Sequence, residues 1–213
     1  IIPLSVFIGG KNYLDGVEIT SPELFQLVKE TGELPKTAAP SIEAFRKEFN
    51  RHPELLYIGI SSRLSASHQS SLIALEKSDP QLKITLDSLN LSTGIGLLVL
   101  KACELSRTGK SAAQIAEQIQ LDVAKVHTSF VIDTLDYLYK GGRCSALEML
   151  AASLLRIRPV IEVKPDGTLG IREKLGGNRR KALLSMVDEL LSHREDLDPQ
   201  RVFVTHCACP EDA

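Results

Sequence analysis

The chain has 213 residues, 43% hydrophobic and 24% charged, so it can bury one large core or two smaller ones. Its formal net charge of −2 leaves no field suited to recruiting nucleic acid or an anionic membrane surface. Four cysteines, scattered except for Cys207 and Cys209, favour a reducing compartment. Neither a signal peptide nor a membrane span of about 18 apolar residues is recognisable, so a soluble cytoplasmic protein is expected.

Apolar stretches rich in β-branched residues alternate with amphipathic stretches along the first part of the chain. Four of them are typical of strands: residues 4–8, 55–60, 82–86 and 129–132. Helix start signals lie between them, with Ser21, Ser41 and Ser111 as the expected caps. This alternation predicts an α/β fold with a parallel sheet covered by helices on both faces, an α/β/α arrangement.

The pattern changes after Gly141 and Gly142. Residues 145–155 are apolar nearly all round, which predicts a helix that is buried on several sides or faces an apolar ligand. Pro165-Asp166-Gly167 then separates two β-rich runs and predicts a turn between antiparallel strands. We therefore expect an α/β/α domain over 1–155 and a second α/β domain with an antiparallel sheet over 156–213. Because the chain starts without methionine in a strand-like run and stops just after another one, we expect it to be truncated at both ends.

A serine-rich segment, residues 61–71, follows the predicted strand at 55–60 and precedes a helix. Ligands of open α/β sheets bind beyond the carboxyl ends of strands, where helix N-termini offer free N–H groups. The hydroxyls could surround an anion with neutral donors, or they could act only as helix caps and turn formers. Thr37 also precedes a helix and could face the same ligand, whereas Ser41 is expected to be a cap.

Paired glycines and a cation follow at the end of the segment 133–144. Gly141 and Gly142 allow close approach of the backbone, and Arg143 supplies a fixed charge with bidentate geometry. The alternative interpretation is a helix C-cap accompanied by a structural ion pair.

Four motifs resemble, in order and spacing, those of the DegV family: Thr37-Ala38-Ala39-Pro40-Ser41, Ser61-Ser62-Arg63-Leu64-Ser65, Asp133 to Leu138 with Gly141-Gly142-Arg143, and Ile157-Arg158-Pro159. The resemblance implies a bacterial fatty-acid-binding protein that holds an acyl chain between two domains. It also implies that a separate fatty acid kinase phosphorylates the bound carboxylate with ATP, giving an acyl phosphate for phospholipid metabolism. The protein would then be a carrier and not an enzyme, with a fatty acid as ligand and no cofactor or metal.

The resemblance also assigns roles to residues of this chain. Thr37 and Ser65 match the family hydroxyls that bind the ligand carboxylate, while Ser61 and Ser62 match residues that shape the same turn. Arg143 matches the family arginine at the mouth, where the kinase would dock.

The hydrocarbon tail needs an apolar wall, because each buried CH₂ contributes about 0.8 kcal/mol to binding. Residues 146–157 are expected to form part of that wall. The chain departs from the family pattern at Ala38-Ala39 and Ala66-Ser67, so fewer polar contacts to the head group are expected. The family's first strand and its C-terminal glycine-rich segment with a head-group contact are not found in this sequence.

The main alternative is a serine-dependent small-molecule hydrolase, in which Ser65 would be the nucleophile and His68 its base. The strand-turn-helix context is similar to a nucleophile elbow, but the Gly-x-Ser-x-Gly pattern is absent. His68 is therefore expected to be only a polar residue in the first turn of its helix.

Three other sites are disfavoured by their residue pattern. His206, Cys207 and Cys209 lack the distant ligand pair of a structural zinc site, and are expected to end a strand. The segment 92–96 lacks the lysine of a phosphate loop, so its glycines are expected to permit close helix packing. Cys144 has a neighbouring cation but no evident histidine partner, which favours a structural role.

Overall fold

A computed structural model describes residues 1–79, 82–132, 136–143, 157–176, 179–192, 195, 197, 198 and 200–207. The strands within these residues are β1 (Ser5–Ile8), β2 (Lys11–Leu14), β3 (Lys36–Ala38), β4 (Glu54–Gly59), β5 (Leu82–Asp87), β6 (Ser129–Val131), β7 (Ile157–Val163) and β8 (Leu169–Gly176). The helices are α1 (Ser21–Thr31), α2 (Ile42–Phe49), α3 (Ser67–Glu76), α4 (Ser92–Arg107), α5 (Ala112–Val123), α6 (Asp136–Lys140) and α7 (Arg179–Ser192). Among the described residues, no helix is both long and apolar enough to cross a bilayer.

The strands form one parallel and two antiparallel sheets, which confirms the predicted α/β class. The four strands expected from the sequence correspond to β1, β4, β5 and β6. Within the described chain, however, the parallel sheet consists of β4 and β5 alone. The expectation that all four strands share a parallel sheet is therefore wrong.

β1 belongs to an antiparallel sheet because a tight hairpin follows it. Gly9 and Gly10 have φ values of +59° and +71°, and they join Ile8 to its register partner Lys11. A two-residue loop with positive φ at both positions matches the twist of paired antiparallel strands. β3 pairs with the other edge of β1, giving the order β2-β1-β3.

The helix caps agree with the sequence at two of three positions. Ser41 Oγ accepts a hydrogen bond from the Ala44 amide at 3.1 Å, and Ser111 caps α5. At α1 the cap is Thr20, one residue before the predicted Ser21, because both the amide and the hydroxyl of Thr20 donate to the Glu23 carboxylate. These bonds stabilise the charged carboxylate and lower the pKa of Glu23.

Helices cover both faces of the β4–β5 pair. Leu56 and Ile58 face α4 and α5 and pack against the buried side chains of Leu98, Ile115, Ile119 and Val123. Leu55 and Tyr57 point the opposite way and pack on α2 and α3, with Phe45, Phe49 and Ala74 at the centre. Because successive side chains of a strand alternate between faces, this arrangement forms the predicted α/β/α layers.

The second antiparallel sheet has the order β6-β7-β8. Its predicted turn is present, since Gly167 has φ +81° and its amide donates to the Lys164 carbonyl at 2.8 Å. β6 precedes the expected domain boundary at 155/156 yet pairs with β7 beyond it. The boundary itself stays a prediction.

Candidate functional site

The serine turn, residues 61–66, leaves the carboxyl end of β4 and leads into α3. Ser61 is fully buried at 0% exposure, and both its amide and its hydroxyl are hydrogen-bonded. The amide donates to the Asn90 carbonyl at 2.8 Å, and Oγ donates to the Gly167 carbonyl at 2.8 Å. The Ser61 carbonyl accepts from the amides of Leu64 and Ser65, which closes the turn. Ser61 is therefore fixed within its turn, and its role in supporting a ligand site stays a prediction.

Ser62 ties the serine turn to the neighbouring strand. Its amide donates to the carboxylate of Asp87 at 3.2 Å to either oxygen, and Asp87 is the last residue of β5. The same carboxylate accepts from the Leu89 amide at 3.0 Å. Asp87 therefore holds together the two loops that leave the carboxyl ends of β4 and β5, where a ligand of a parallel sheet is expected.

Ser65 stands at the N-terminus of α3. Its Oγ accepts from the Ser67 amide at 3.2 Å and lies 2.8 Å from Ser67 Oγ. The residue at the cap position is Ala66, which has no side-chain oxygen. The first N–H groups of a helix have no partner inside it and carry partial positive charge, so Ser65 Oγ lies where an anion is electrostatically favoured.

Thr37 lies in a different sheet from the serine turn. It is exposed in β3, opposite Val6 of β1. Among the described residues, no hydrogen bond or strand pairing joins Thr37 to Ser65. β3 leads into α2, which packs against α3, so the two hydroxyls precede helices that contact each other. A shared carboxylate site for Thr37 and Ser65 stays a prediction.

Arg143 lies against the serine turn. Its guanidinium donates to the carbonyl of Leu64 at 3.4 Å and to that of Gly141. The paired glycines end α6, since the Gly141 amide donates to the Tyr137 carbonyl at 2.9 Å and Gly142 has φ +70°. The glycines therefore end a helix, as in the C-cap interpretation. Arg143 contacts Leu64 of the serine turn.

The β7–β8 turn adds charged groups next to the serine turn. Thr168 donates to Asp166 from its hydroxyl at 2.7 Å and from its amide at 3.0 Å. These bonds, followed by the positive charges of Lys164 and Arg63, lower the pKa of Asp166. Arg63 belongs to the serine turn, so charges of both signs lie where the turn meets the second sheet.

The hydrolase alternative lacks its central hydrogen bond. Ser65 Oγ is bonded within the turn to Ser67, and His68 Nδ1 is buried with no hydrogen-bond partner. A serine nucleophile needs a base within hydrogen-bonding reach of its hydroxyl. His68 lies in the first turn of α3, the position that was expected for it.

The metal and phosphate alternatives gain no support from the described part of the chain. It contains no group of three or more histidine, cysteine or acidic side chains able to hold a metal ion. Cys207 is exposed, and residues 202–206 form no strand, so the expected strand end is wrong there. The glycines of the segment 92–96 do not serve the expected close packing of helices. A Cβ on Gly94 would overlap the side chains of Asn90 and Thr128, which lie in loops, and one on Gly96 would meet only Phe203, at 3.9 Å.

Some predicted features lie outside the described residues. They are the segment 133–135, Cys144, Cys209 and the apolar run expected to form the tail wall, apart from the backbone of Ile157. Two residues with several contacts were missed by the sequence analysis, namely Asp87 and Asn90. A carboxylate closing a strand at the ligand edge was the available signal for Asp87.

A sequence model described as "Uncharacterised protein, DegV family" matches residues 1–213. The chain belongs to the DegV family. A DegV domain-containing protein of Clostridium acetobutylicum is 34% identical over 186 residues, covering 85% of this chain and 66% of that relative. The chain thus spans slightly less than two thirds of that relative's length.

Solved DegV structures share the fold over most of the chain. A Thermus thermophilus DegV family protein, described for its fatty acid binding, has 29% identity and a TM-score of 0.80, covering 91% of this chain and 70% of its own. The Streptococcus pneumoniae fatty acid kinase B3 protein, loaded with linoleic acid, has 28% identity and a TM-score of 0.80, covering 89% and 69%.

Proposed function

We propose that this protein is a cytoplasmic carrier that binds a long-chain fatty acid between two domains. The observation that carries the proposal is the similarity to two solved DegV structures, one described for fatty acid binding and one loaded with linoleic acid. Both match about nine tenths of this chain, at 91% and 89%. The fatty acid is the ligand, and no cofactor takes part in binding it.

The head group is bound at the serine turn. Ser65 Oγ accepts the Ser67 amide and lies 2.8 Å from Ser67 Oγ. With Ser67 Oγ as the donor of that pair, the proton of Ser65 is directed to a carboxylate oxygen of the ligand. The partial positive charge at the start of α3 favours the same anion. Thr37 supplies the second hydroxyl, and a hydrogen bond to a charged acceptor contributes roughly 1.5 to 3 kcal/mol.

The hydrocarbon tail extends from the serine turn along apolar side chains. Leu64 of the turn and Leu91, just before α4, pack against Ile161 and Leu169 of the second sheet. Leu64, which directly precedes Ser65, belongs to this apolar cluster, so the hydrocarbon of a ligand with its carboxylate at Ser65 would start beside apolar side chains. Residues 146–157 are expected from their apolar sequence to form part of the same wall, and at about 0.8 kcal/mol per buried CH₂ the tail supplies most of the affinity.

The bound carboxylate is presented to a separate ATP-dependent fatty acid kinase, which converts it to an acyl phosphate. Arg143 supports this step because it is exposed and bonded to the serine turn, so a partner that contacts the guanidinium lies next to the head group. The Streptococcus pneumoniae neighbour, a component of a fatty acid kinase, also supports it.

Lipid extraction tests the proposal directly. The purified protein is extracted with organic solvent, and the extracted lipids are identified by mass spectrometry. The lipid-free protein is then titrated with oleate, and with decanol as a control. We expect a stoichiometric C16 to C18 acid in the extract and saturable binding of oleate that far exceeds that of decanol. Absence of any saturable binding to C14 to C20 acids overturns the proposal.

A further inference from the structure

A buried asparagine, Asn90, stands directly behind the serine turn. It is 2% exposed, and its carbonyl accepts from the Ser61 amide at 2.8 Å and from Ser88 Oγ at 3.2 Å. Its own amide donates to Ser88 Oγ at 3.1 Å. The preceding Leu89 has φ +46°, a conformation that costs energy outside glycine and persists only when surrounding contacts impose it. The backbone of Asn90 therefore helps to set the position of Ser61.

The Asn90 side chain connects this backbone to a third segment. Its Oδ1 accepts from the Leu91 amide at 2.9 Å and from Thr128 Oγ1 at 2.8 Å, while Nδ2 donates to the Val126 carbonyl at 3.2 Å. Three of the four hydrogen bonds available to a buried amide are thus made within the chain. Removing the amide would leave the groups that face it unpaired.

Thr128 extends the connection into the second sheet. Its carbonyl accepts from the Val163 amide at 2.9 Å, and Val163 is the last residue of β7. Gly94 makes room for the pair, because a Cβ at that position would overlap both Asn90 Oδ1 and Thr128 Oγ1. The Thr128–Asn90 bond therefore links β7 to the residue that holds the amide of Ser61.

We propose that Asn90 is a positioning residue, which with Thr128 fixes the serine turn relative to the second antiparallel sheet. Ser61 is held from two directions, by the Asn90 carbonyl and by the Gly167 carbonyl. Loss of the Asn90 side chain keeps the backbone carbonyl that Ser61 uses but removes the bonds that fix this carbonyl to Val126 and Thr128. The turn then samples positions in which Ser65 no longer meets the head group. This consequence for ligand binding rests on the proposed function.

The first test measures local opening, without any ligand, by amide hydrogen exchange. The variants are Asn90→Ala and Thr128→Val, with Thr128→Ser to restore the hydroxyl. Thr108→Val is the matched control. It also removes a threonine hydroxyl that donates a hydrogen bond, in this case to the Leu105 carbonyl, and Thr108 is far from the serine turn in sequence. Since Asn90→Ala leaves several buried groups unpaired and can prevent folding, Thr128→Val alone is sufficient.

We expect exchange at the amides of Ser61 and Ser62 to rise roughly fivefold in Thr128→Val, the effect of losing one hydrogen bond of average strength. The exchange rates of the β4 amides should not change in Thr128→Val. In Thr128→Ser and in Thr108→Val, the exchange rates of Ser61, Ser62 and β4 should all equal those of the unaltered protein. A uniform rise across β4 and the turn, or no rise at the turn, overturns the positioning role.

The second test is oleate affinity of the same variants, which should fall roughly three- to tenfold in Thr128→Val and recover in Thr128→Ser. Unchanged affinity with increased exchange at the turn overturns the link to binding. If the unaltered protein binds no fatty acid, the proposed function fails, while the exchange pattern still decides the positioning role by itself.

Discussion

The two hydroxyls expected to bind one carboxylate stand in very different surroundings. Ser65 belongs to the serine turn, in which Ser62 is hydrogen-bonded to Asp87 at the end of β5 and Ser61 is hydrogen-bonded to Gly167 in the β7–β8 turn. Thr37 lies exposed on a three-residue edge strand, with β1 as its pairing partner. One half of the proposed site is thus held by many contacts, and the other by a single strand pairing. Substitutions in the two regions should therefore affect different properties.

The largest effect is expected where the serine turn meets the β7–β8 turn. Gly167→Ala puts a Cβ onto Ser61 Oγ and near Leu89, at a position with φ +81°. Strain and overlap together should lower the free energy of unfolding by about 3 kcal/mol. Chemical denaturation measures the loss. Gly109→Ala is the control, because Gly109 has the same φ with nothing within 4 Å of its Cβ, and it should lose only about 1 kcal/mol. Equal losses would mean that the close contact is unimportant.

Ser65→Ala should weaken fatty acid binding by roughly 1.5 to 3 kcal/mol, since it removes a hydrogen bond to a charged acceptor. It should also lower thermal stability slightly, because the Ser67 amide loses its acceptor. Titration with oleate and a melting curve measure the two effects. Ser78 lies just beyond the end of α3, and its hydroxyl donates to the Ala74 carbonyl. Ser78→Ala removes that hydrogen bond and should change only stability. Full affinity in Ser65→Ala would reject the head-group assignment.

Thr37→Ala should weaken binding by about 1.5 kcal/mol, at the lower end of the range for such a bond, because fewer contacts hold the hydroxyl in place. Its melting temperature should not change, since Thr37 is exposed. The contrast with Ser65→Ala is read from the same titration and the same melting curve. A large loss of stability with intact binding would show that the hydroxyl serves the sheet instead of the ligand.

Arg143→Ala is expected to leave oleate affinity almost unchanged, within about 0.5 kcal/mol, as for an exposed substitution. Phosphorylation of the bound acid by the partner kinase should fall by roughly tenfold, equivalent to about 1.4 kcal/mol of lost interaction. Arg143→Lys keeps the charge without the two-pronged geometry and should be intermediate. The assay compares acyl phosphate formation at saturating oleate, and full turnover by Arg143→Ala would contradict the docking role.

Local signals were enough to predict much of the fold. The stripe Ala112, Ile115, Ile119 and Val123 is buried as expected, and the cap at Ser111 is present. The turn at Pro165-Asp166-Gly167 joins two antiparallel strands, as its residues indicate. In these cases the deciding interactions lie within a few residues of one another, so the sequence pattern contains them.

Pairing partners could not be predicted in the same way. β6 has only three residues, and its direction relative to β7 is decided by contacts about thirty residues away along the chain. β3 has no apolar periodicity, so its existence depends on the free edge of β1. The same limit applies to the site: the serine turn was visible as a local pattern, whereas Asn90 acquires its importance from Val126 and Thr128.

The hydrogen bond between Ser61 and Gly167 spans 106 positions of the chain. Contacts between such distant positions form late during folding, because the entropy of closing a long loop is lost before the contact can repay it. The β4–β5 pair and its helices can assemble from nearer segments, yet the serine turn gains its last attachments only when β7 and β8 dock. Competence to bind a ligand should therefore be acquired at the end of folding, after most of the chain is already compact.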